Sequence, residues 1–164
     1  KVKEEFDAYE KKYHRHLQVW FEPGKFLVSE AGYFITKVNV LKQAGNISFA
    51  GVDTGLNHFI RPMFYGAYHE IENISNPSGE PKVYNVVGNI CETDTFANNR
   101  RIAEINEGDV LCFRNAGAYC FSMSSNYNSR FRPAEVLWYE GKGHLIRERE
   151  TFVDLVRGQI EIKF

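Results

Sequence analysis

From Phe26 onward the apolar stretches of the chain are only a few residues long, and glycine, asparagine and proline punctuate them. Runs that short, several with period-two alternation, predict strand after strand and a mainly β fold. Residues 33–41 alternate, and 47–52 form a short apolar run closing on Asp53-Thr54-Gly55. Residues 67–74, 82–90 and 110–113 read as further strands. Residues 135–139 and 144–147 flank Glu140-Gly141-Lys142-Gly143, a loop of hairpin length. One late helix is expected over 152–157, with Thr151 capping its start, Asp154 three residues on, and Gly158 closing its end. The expected architecture is a mainly antiparallel β-sandwich or barrel.

The first residues have a different character. Val2, Phe6, Tyr9 and Tyr13 are spaced as one stripe of an amphipathic helix. Leu17, Val19 and Phe21 then change to period two, which predicts a short strand stopped by Glu22-Pro23-Gly24. A helix leading into a strand and a turn is how one unit of an α/β domain ends. Residues 1–24 are therefore expected to be such a helix–strand remnant, and residues 25–164 the β domain.

Composition excludes several functions. The 164 residues carry 20 Lys and Arg against 21 Asp and Glu, a formal charge of −1, so no basic excess is available for nucleic acid. No apolar run approaches the roughly 20 residues of a membrane span, and no charged-then-apolar leader opens the chain. Three cysteines, Cys91, Cys112 and Cys120, cannot all pair and form no Cys-x-x-Cys. Reduced thiols of this kind suit a cytoplasmic protein better than a disulfide scaffold or a zinc module. Asn-Ile-Ser triplets at Asn46 and Asn73 match the glycosylation pattern but have no leader to bring them to it. The chain opens on Lys1 without an initiator Met and is expected to be a piece of something longer.

Small and polar residues concentrate in a few segments. In Glu22-Pro23-Gly24-Lys25, Gly24 lets the backbone approach a ligand, exposed amides and Lys25 suit a phosphate, and Glu22 suits a cationic ring nitrogen. A plain turn is the alternative. In the run from Ile60 to His69, Arg61 offers a planar fork to a carboxylate, and Tyr65 lies four positions on, on the same face of a helical turn. A surface arginine and a half-buried tyrosine are the alternative. In Gly88-Asn89-Ile90-Cys91-Glu92-Thr93-Asp94 the acids disfavour a thiolate, so Cys91 suits proton donation, while Glu92 suits a substrate ammonium. A buried structural cysteine beside a solvated acid is the commoner case. Small residues around Tyr119 leave its ring and hydroxyl room to touch a bound molecule, or else place it in the core. Neither dinucleotide-binding nor phosphate-loop glycine patterns occur, nor His-Glu-x-x-His, nor Gly-x-Ser-x-Gly. His14 and His16 are two apart, the wrong spacing for a helical metal pair, and no metal is expected.

Taken in order, these segments resemble the C-terminal part of the diaminopimelate decarboxylase family. The matching runs are Glu22-Pro23-Gly24-Lys25-Phe26-Leu27-Val28, Arg61-Pro62-Met63-Phe64-Tyr65-Gly66-Ala67-Tyr68-His69, Gly88-Asn89-Ile90-Cys91-Glu92, and Gly117-Ala118-Tyr119 with residues 121–128. The resemblance continues through residues 130–136 and 145–155. It implies a pyridoxal-phosphate enzyme of the alanine-racemase type, a (β/α) barrel joined to a C-terminal β domain, with residues 1–24 ending the barrel. By the resemblance Glu22 partners the pyridine nitrogen, and the turn Glu22, Pro23, Gly24, Lys25 lies near the cofactor phosphate. Arg61 and Tyr65, with Lys25, would bind a substrate carboxylate. Cys91 would donate the proton that replaces the lost carboxylate, Glu92 would hold a substrate amino group, and Tyr119 would touch cofactor and substrate. The family acts as a homodimer whose sites lie at the subunit interface, on meso-diaminopimelate, yielding L-lysine and CO2.

Two departures stand out. The family usually has Arg where this chain has Lys25, and the family's cofactor-bearing lysine, in a Tyr-Ala-x-Lys context, does not occur in this chain. The chain alone is therefore expected to be inactive. Ornithine and arginine decarboxylases share the Glu-Pro-Gly turn and are the second reading, although their substrates lack the second carboxylate that Arg61 would bind. A free-standing β domain serving dimerisation is the third.

Overall fold

The structure is a computed structural model and describes residues 1–163. It contains α1 (Val2–Tyr13), α2 (Gly24–Val28), α3 (Arg61–Tyr65) and α4 (Phe152–Leu155), with strands β1 (Phe34–Ala44), β2 (Ile47–Val52), β3 (Ile71–Asn73), β4 (Pro81–Val87), β5 (Thr95–Ala103), β6 (Val110–Phe113), β7 (Glu135–Tyr139) and β8 (Lys142–Arg147).

Strands β1 to β6 form one six-stranded sheet in the order β3-β6-β1-β2-β4-β5. Every pair is antiparallel except β2 with β4, where Ala50 faces Val86 in parallel register. The sheet curls until its two edges approach each other. Asn73 Nδ2 of β3 donates to the carbonyl of Glu104, just past β5, at 2.8 Å, and Arg100 Nη1 of β5 donates to the His69 carbonyl at 3.0 Å. A nearly closed barrel results, which is the mainly β fold expected, with one parallel pair.

Inside it, Phe34, Phe59, Phe96 and Phe113 meet edge-on or tilted, with centroids 5.2 to 6.1 Å apart. Ala50, Val52, Val86 and Leu111 fill the space between them and are fully buried or nearly so. Burial of such side chains contributes about 1.5–3 kcal/mol for each large one. The β7–β8 hairpin stands apart with both faces open to solvent. Its turn residues Glu140 and Gly141 both have positive φ, 49° and 74°, as a two-residue hairpin turn requires. Phe121 ties the hairpin back, lying between the guanidinium carbons of Arg147 at 4.3 Å and Arg132 at 4.6 Å.

Several local expectations differ from the structure: of the strand expected over 67–74 only Ile71–Asn73 forms, and the one expected over 82–90 ends at Val87. Residues 17–21 pair with no strand and have no regular structure, since a lone period-two run leaves its backbone N–H and C=O groups without a neighbour. Residues 24–28, expected to lead into a strand, wind instead into α2, closed by a 3-10 turn over Ser29–Ala31. Strand β5 carries no strand signal in its sequence, because Asn98, Asn99, Arg100 and Arg101 make it polar. A bulge, with Asn99 at φ 49°, also breaks its alternation. Helix α1 has the expected limits, and no residue of it is buried. At α4 the capping box between Thr151 and Asp154 is formed as expected, but the helix ends at Leu155 with Val156 and not Gly158 at its C-cap.

Candidate active site

The expected site residues fall into two groups, and no hydrogen bond, ion pair or aromatic contact joins them among the described residues. The first is built on α2, α3 and the loop after β6. Pro62 near the start of α3 presets its backbone, and Gly66 ends it at φ 61°, so the helix is a single turn. That turn puts Arg61 and Tyr65 on one face, with the guanidinium carbon 5.4 Å from the Tyr65 ring centroid. The same carbon lies 5.7 Å from the Tyr119 ring. Arg61 Nε is buried and has no partner among the described residues. A charged donor flanked by two rings and lacking an acceptor is poised for an anion.

The loop that presents Tyr119 is clamped to the 3-10 turn that follows α2. Gly117 N–H donates to the Ser29 carbonyl at 3.0 Å, Ala116 N–H to Gly32 O at 2.8 Å, and Ser29 Oγ to Asn115 O at 3.1 Å. A Cβ on Gly117 would lie 1.9 Å from the Val28 carbonyl oxygen, so only glycine permits this approach. Tyr119 itself takes a left-handed backbone, φ 59°, and its hydroxyl stands 2.9 Å from where a Cβ of Gly24 would be. The Glu22-Pro23-Gly24 turn, closed by Gly24 N–H to the Glu22 carbonyl at 2.9 Å, therefore meets Tyr119 directly. The side chains of Glu22 and Lys25 are exposed. His69 lies behind this group, 4.5 Å from Phe59 ring to ring, with Nδ1 donating to Arg114 O at 2.9 Å. Burial holds its pKa below the ordinary histidine value, and Arg61, Lys25 and Arg100 push it further down.

The second group sits on the loop between β4 and β5. Cys91 is exposed and its thiol donates to Glu92 Oε2 at 3.3 Å. Asn128 Nδ2 donates to Cys91 Sγ at 3.7 Å, and the Tyr127 hydroxyl donates to Glu92 Oε1 at 2.5 Å. The phenol and then the thiol hold the Glu92 carboxyl below its ordinary range. Cys112 and Cys120 are buried; burial raises the thiol pKa of both, and that of Cys120 reaches about 12, so neither is a nucleophile at neutral pH. Tyr127 and Asn128 are functional candidates that spacing gave no reason to single out, because they reach the loop only through the fold. No cluster of His, Cys, Asp or Glu among the described residues is arranged to hold a metal, and no helix there is long and apolar enough to cross a membrane.

Residues 25–117 match the family described as pyridoxal-dependent decarboxylase, C-terminal sheet domain. The chain belongs to this family. It is 56% identical over 140 residues to diaminopimelate decarboxylase of Methanothermobacter thermautotrophicus, covering 84% of this chain and 32% of that protein. With the Vibrio cholerae enzyme of the same name it shares 42% over 142 residues, covering 87% and 34%. The solved structure of diaminopimelate decarboxylase from M. jannaschii superposes with a TM-score of 0.82 at 36% identity, over 98% of this chain and 37% of that one. A Helicobacter pylori diaminopimelate decarboxylase solved with L-lysine gives 0.75 at 40% identity, over 83% and 34%. The chain spans about a third of the length of the curated relatives it matches.

The cofactor of this family of decarboxylases fits the first group. Pyridoxal phosphate presents a ring nitrogen, a phosphate and a flat edge. Glu22 offers a carboxylate, Lys25 a cation, and Gly24 a surface of bare backbone beneath the Tyr119 hydroxyl. A side chain at Gly24 would meet the Tyr119 hydroxyl.

Proposed function

We propose that the chain is the C-terminal part of a diaminopimelate decarboxylase, converting meso-2,6-diaminopimelate to L-lysine and CO2 in the cytoplasm. In this reading residues 1–24 end the (β/α) barrel and residues 25–164 form the β domain. The 56% identity to a protein of that name carries the assignment, and the unpartnered Arg61 guanidinium supports its substrate. An ornithine- or arginine-type substrate has no second carboxylate for that group.

Pyridoxal phosphate, when bound, takes up the electron pair left as CO2 departs. The rest falls to side chains of this chain. Arg61 forks onto the carboxylate of the remote amino-acid centre, Tyr65 borders it, and Glu92 accepts from the remote ammonium. Cys91 delivers the Sγ proton to the α-carbon that has lost CO2. Glu22 would partner the cofactor's ring nitrogen, the Pro23-Gly24-Lys25 turn would hold its phosphate, and Tyr119 would touch both cofactor and substrate. In this reading each complete site takes the Cys91–Glu92 group and the Arg61–Tyr119 group from different copies of a homodimer, and the lack of polar or aromatic contact between the two groups among the described residues agrees with that.

The test is decarboxylation by the longer protein that carries this chain, offered meso-diaminopimelate, ornithine and arginine in competition. Preference for diaminopimelate is expected, and the chain alone is expected to release no CO2. Preference for either diamine acid would overturn the substrate assignment.

A further inference from the structure

Next to the Cys91–Glu92 pair lies a buried carboxylate with no task in the chemistry above. Asp94 is 5% exposed, and each of its carboxylate oxygens accepts one backbone N–H: Oδ1 from Leu56 at 2.9 Å and Oδ2 from Ile90 at 2.9 Å. Its own carbonyl accepts from Gly88 N–H at 2.7 Å. The loop over residues 88–94 thus closes on Asp94 and is tied through it to the turn over 53–57. Asn89 N–H, donating to Thr54 O at 3.0 Å, ties the same two pieces a second time.

That turn also holds the segment that reaches the pair. The Asn57 carbonyl accepts from Ser125 N–H at 2.8 Å, and Tyr127 and Asn128 follow directly. Space is reserved for the carboxylate on two sides. A Cβ on Gly88 would lie 2.1 Å from Asp94 Oδ2, and one on Gly55 would lie 2.6 Å from the same atom. Neither glycine has a positive φ, so room and not backbone freedom is the reason for both. Burial holds the carboxyl pKa above its ordinary value, although the Ile90 and Leu56 amides offset part of the rise.

We propose that Asp94 is the positioning residue of the Cys91–Glu92 pair, fixing the loop backbone while Tyr127 and Asn128 hold the two side chains. A carboxylate is required because two N–H donors face two oxygens. Asparagine would turn an NH2 toward one of them and leave that amide without an acceptor. The chemistry the pair performs rests on the decarboxylase reading; the positioning is a property of this chain.

The experiment uses the full chain and its Asp94→Asn variant. Iodoacetamide alkylation is followed at Cys91, with buried Cys112 and Cys120 as internal references, alongside amide exchange at Ile90 and Leu56. Expected are a change of at least about threefold in the Cys91 rate and exchange at least about tenfold faster at the amide left unpaired, with Cys112 and Cys120 still protected. Unchanged Cys91 and amides would overturn the proposal. So would all three thiols opening together, since Asp94 would then support only the fold as a whole. Should Asp94→Asn fail to fold, the unaltered chain decides: Ile90 and Leu56 amides are expected to share one protection, and a difference above about tenfold would sink the idea. None of these readouts needs turnover, so failure here is distinct from failure of the decarboxylase reading.

Discussion

Tyr127 donates its phenol O–H to Glu92 Oε1 at 2.5 Å across a sequence separation of 35 residues. The phenol is the largest cause of the lowered Glu92 pKa, ahead of the Cys91 thiol. A carboxyl held below its ordinary value favours the folded chain above the usual glutamate range, and that contribution is lost as pH falls through the lowered value. Tyr127→Phe is expected to move the Glu92 titration up toward the ordinary range, read by carbon-13 NMR of its carboxylate. An unmoved titration would contradict the role given to Tyr127.

Two glycine substitutions separate crowding from backbone strain. Gly117→Ala drives a methyl group to 1.9 Å from the Val28 carbonyl, and is expected to cost about 3 kcal/mol or more in denaturant unfolding. Gly45→Ala meets nothing within 4 Å and carries only the strain of φ 59°, about 1 kcal/mol. Equal losses would mean that the contact between the 115–117 loop and α2 is looser than described.

Acid should weaken the fold through two histidines. His58 Nδ1 is hydrogen-bonded to Thr54 Oγ1 at 2.7 Å and its Nε2 donates to the Phe131 carbonyl at 2.7 Å. Burial lowers the pKa of His58 and of His69 from the ordinary 6.5. The unfolded chain then binds more protons near 6.5 than the folded one, so stability falls as pH drops through that value. Chemical denaturation between neutral pH and pH about 5 should show the slope, and His58→Gln should flatten it.

If the chain belongs to a diaminopimelate decarboxylase as proposed, Arg61 and Cys91 should fail in different ways in that enzyme. Arg61→Lys loses the planar fork and is expected to raise KM for diaminopimelate at least about tenfold with a smaller change in kcat. Cys91→Ala is expected to cut kcat at least about a hundredfold while leaving cofactor affinity nearly unchanged. Unchanged turnover without the thiol would remove its role as proton donor.

Patterns resting on neighbours in sequence were legible before the structure. The helical stripe of α1, the short run of β2, the β7–β8 hairpin and the Thr151 cap all depend on residues within one turn or one loop. The joint face of Arg61 and Tyr65 followed from four-residue spacing in the same way. What escaped depends on long-range closure. Leu17, Val19 and Phe21 have strand spacing but no strand to pair with, whereas polar β5 is a strand because β4 supplies its ladder. Tyr127 at Glu92 and Asp94 beneath Ile90 became visible only when distant loops were brought together.

The join between Gly117 and Val28 leaves no room even for a methyl group, so the loop bearing Tyr119 and the turn bearing Gly24 cannot slide past each other. The phenol of Tyr119 and the Gly24 backbone that it faces are thus held at a separation set when the domain folds. Little ordering is then left to be done at the moment of binding, and that edge of the pocket behaves as a mould, not a hinge.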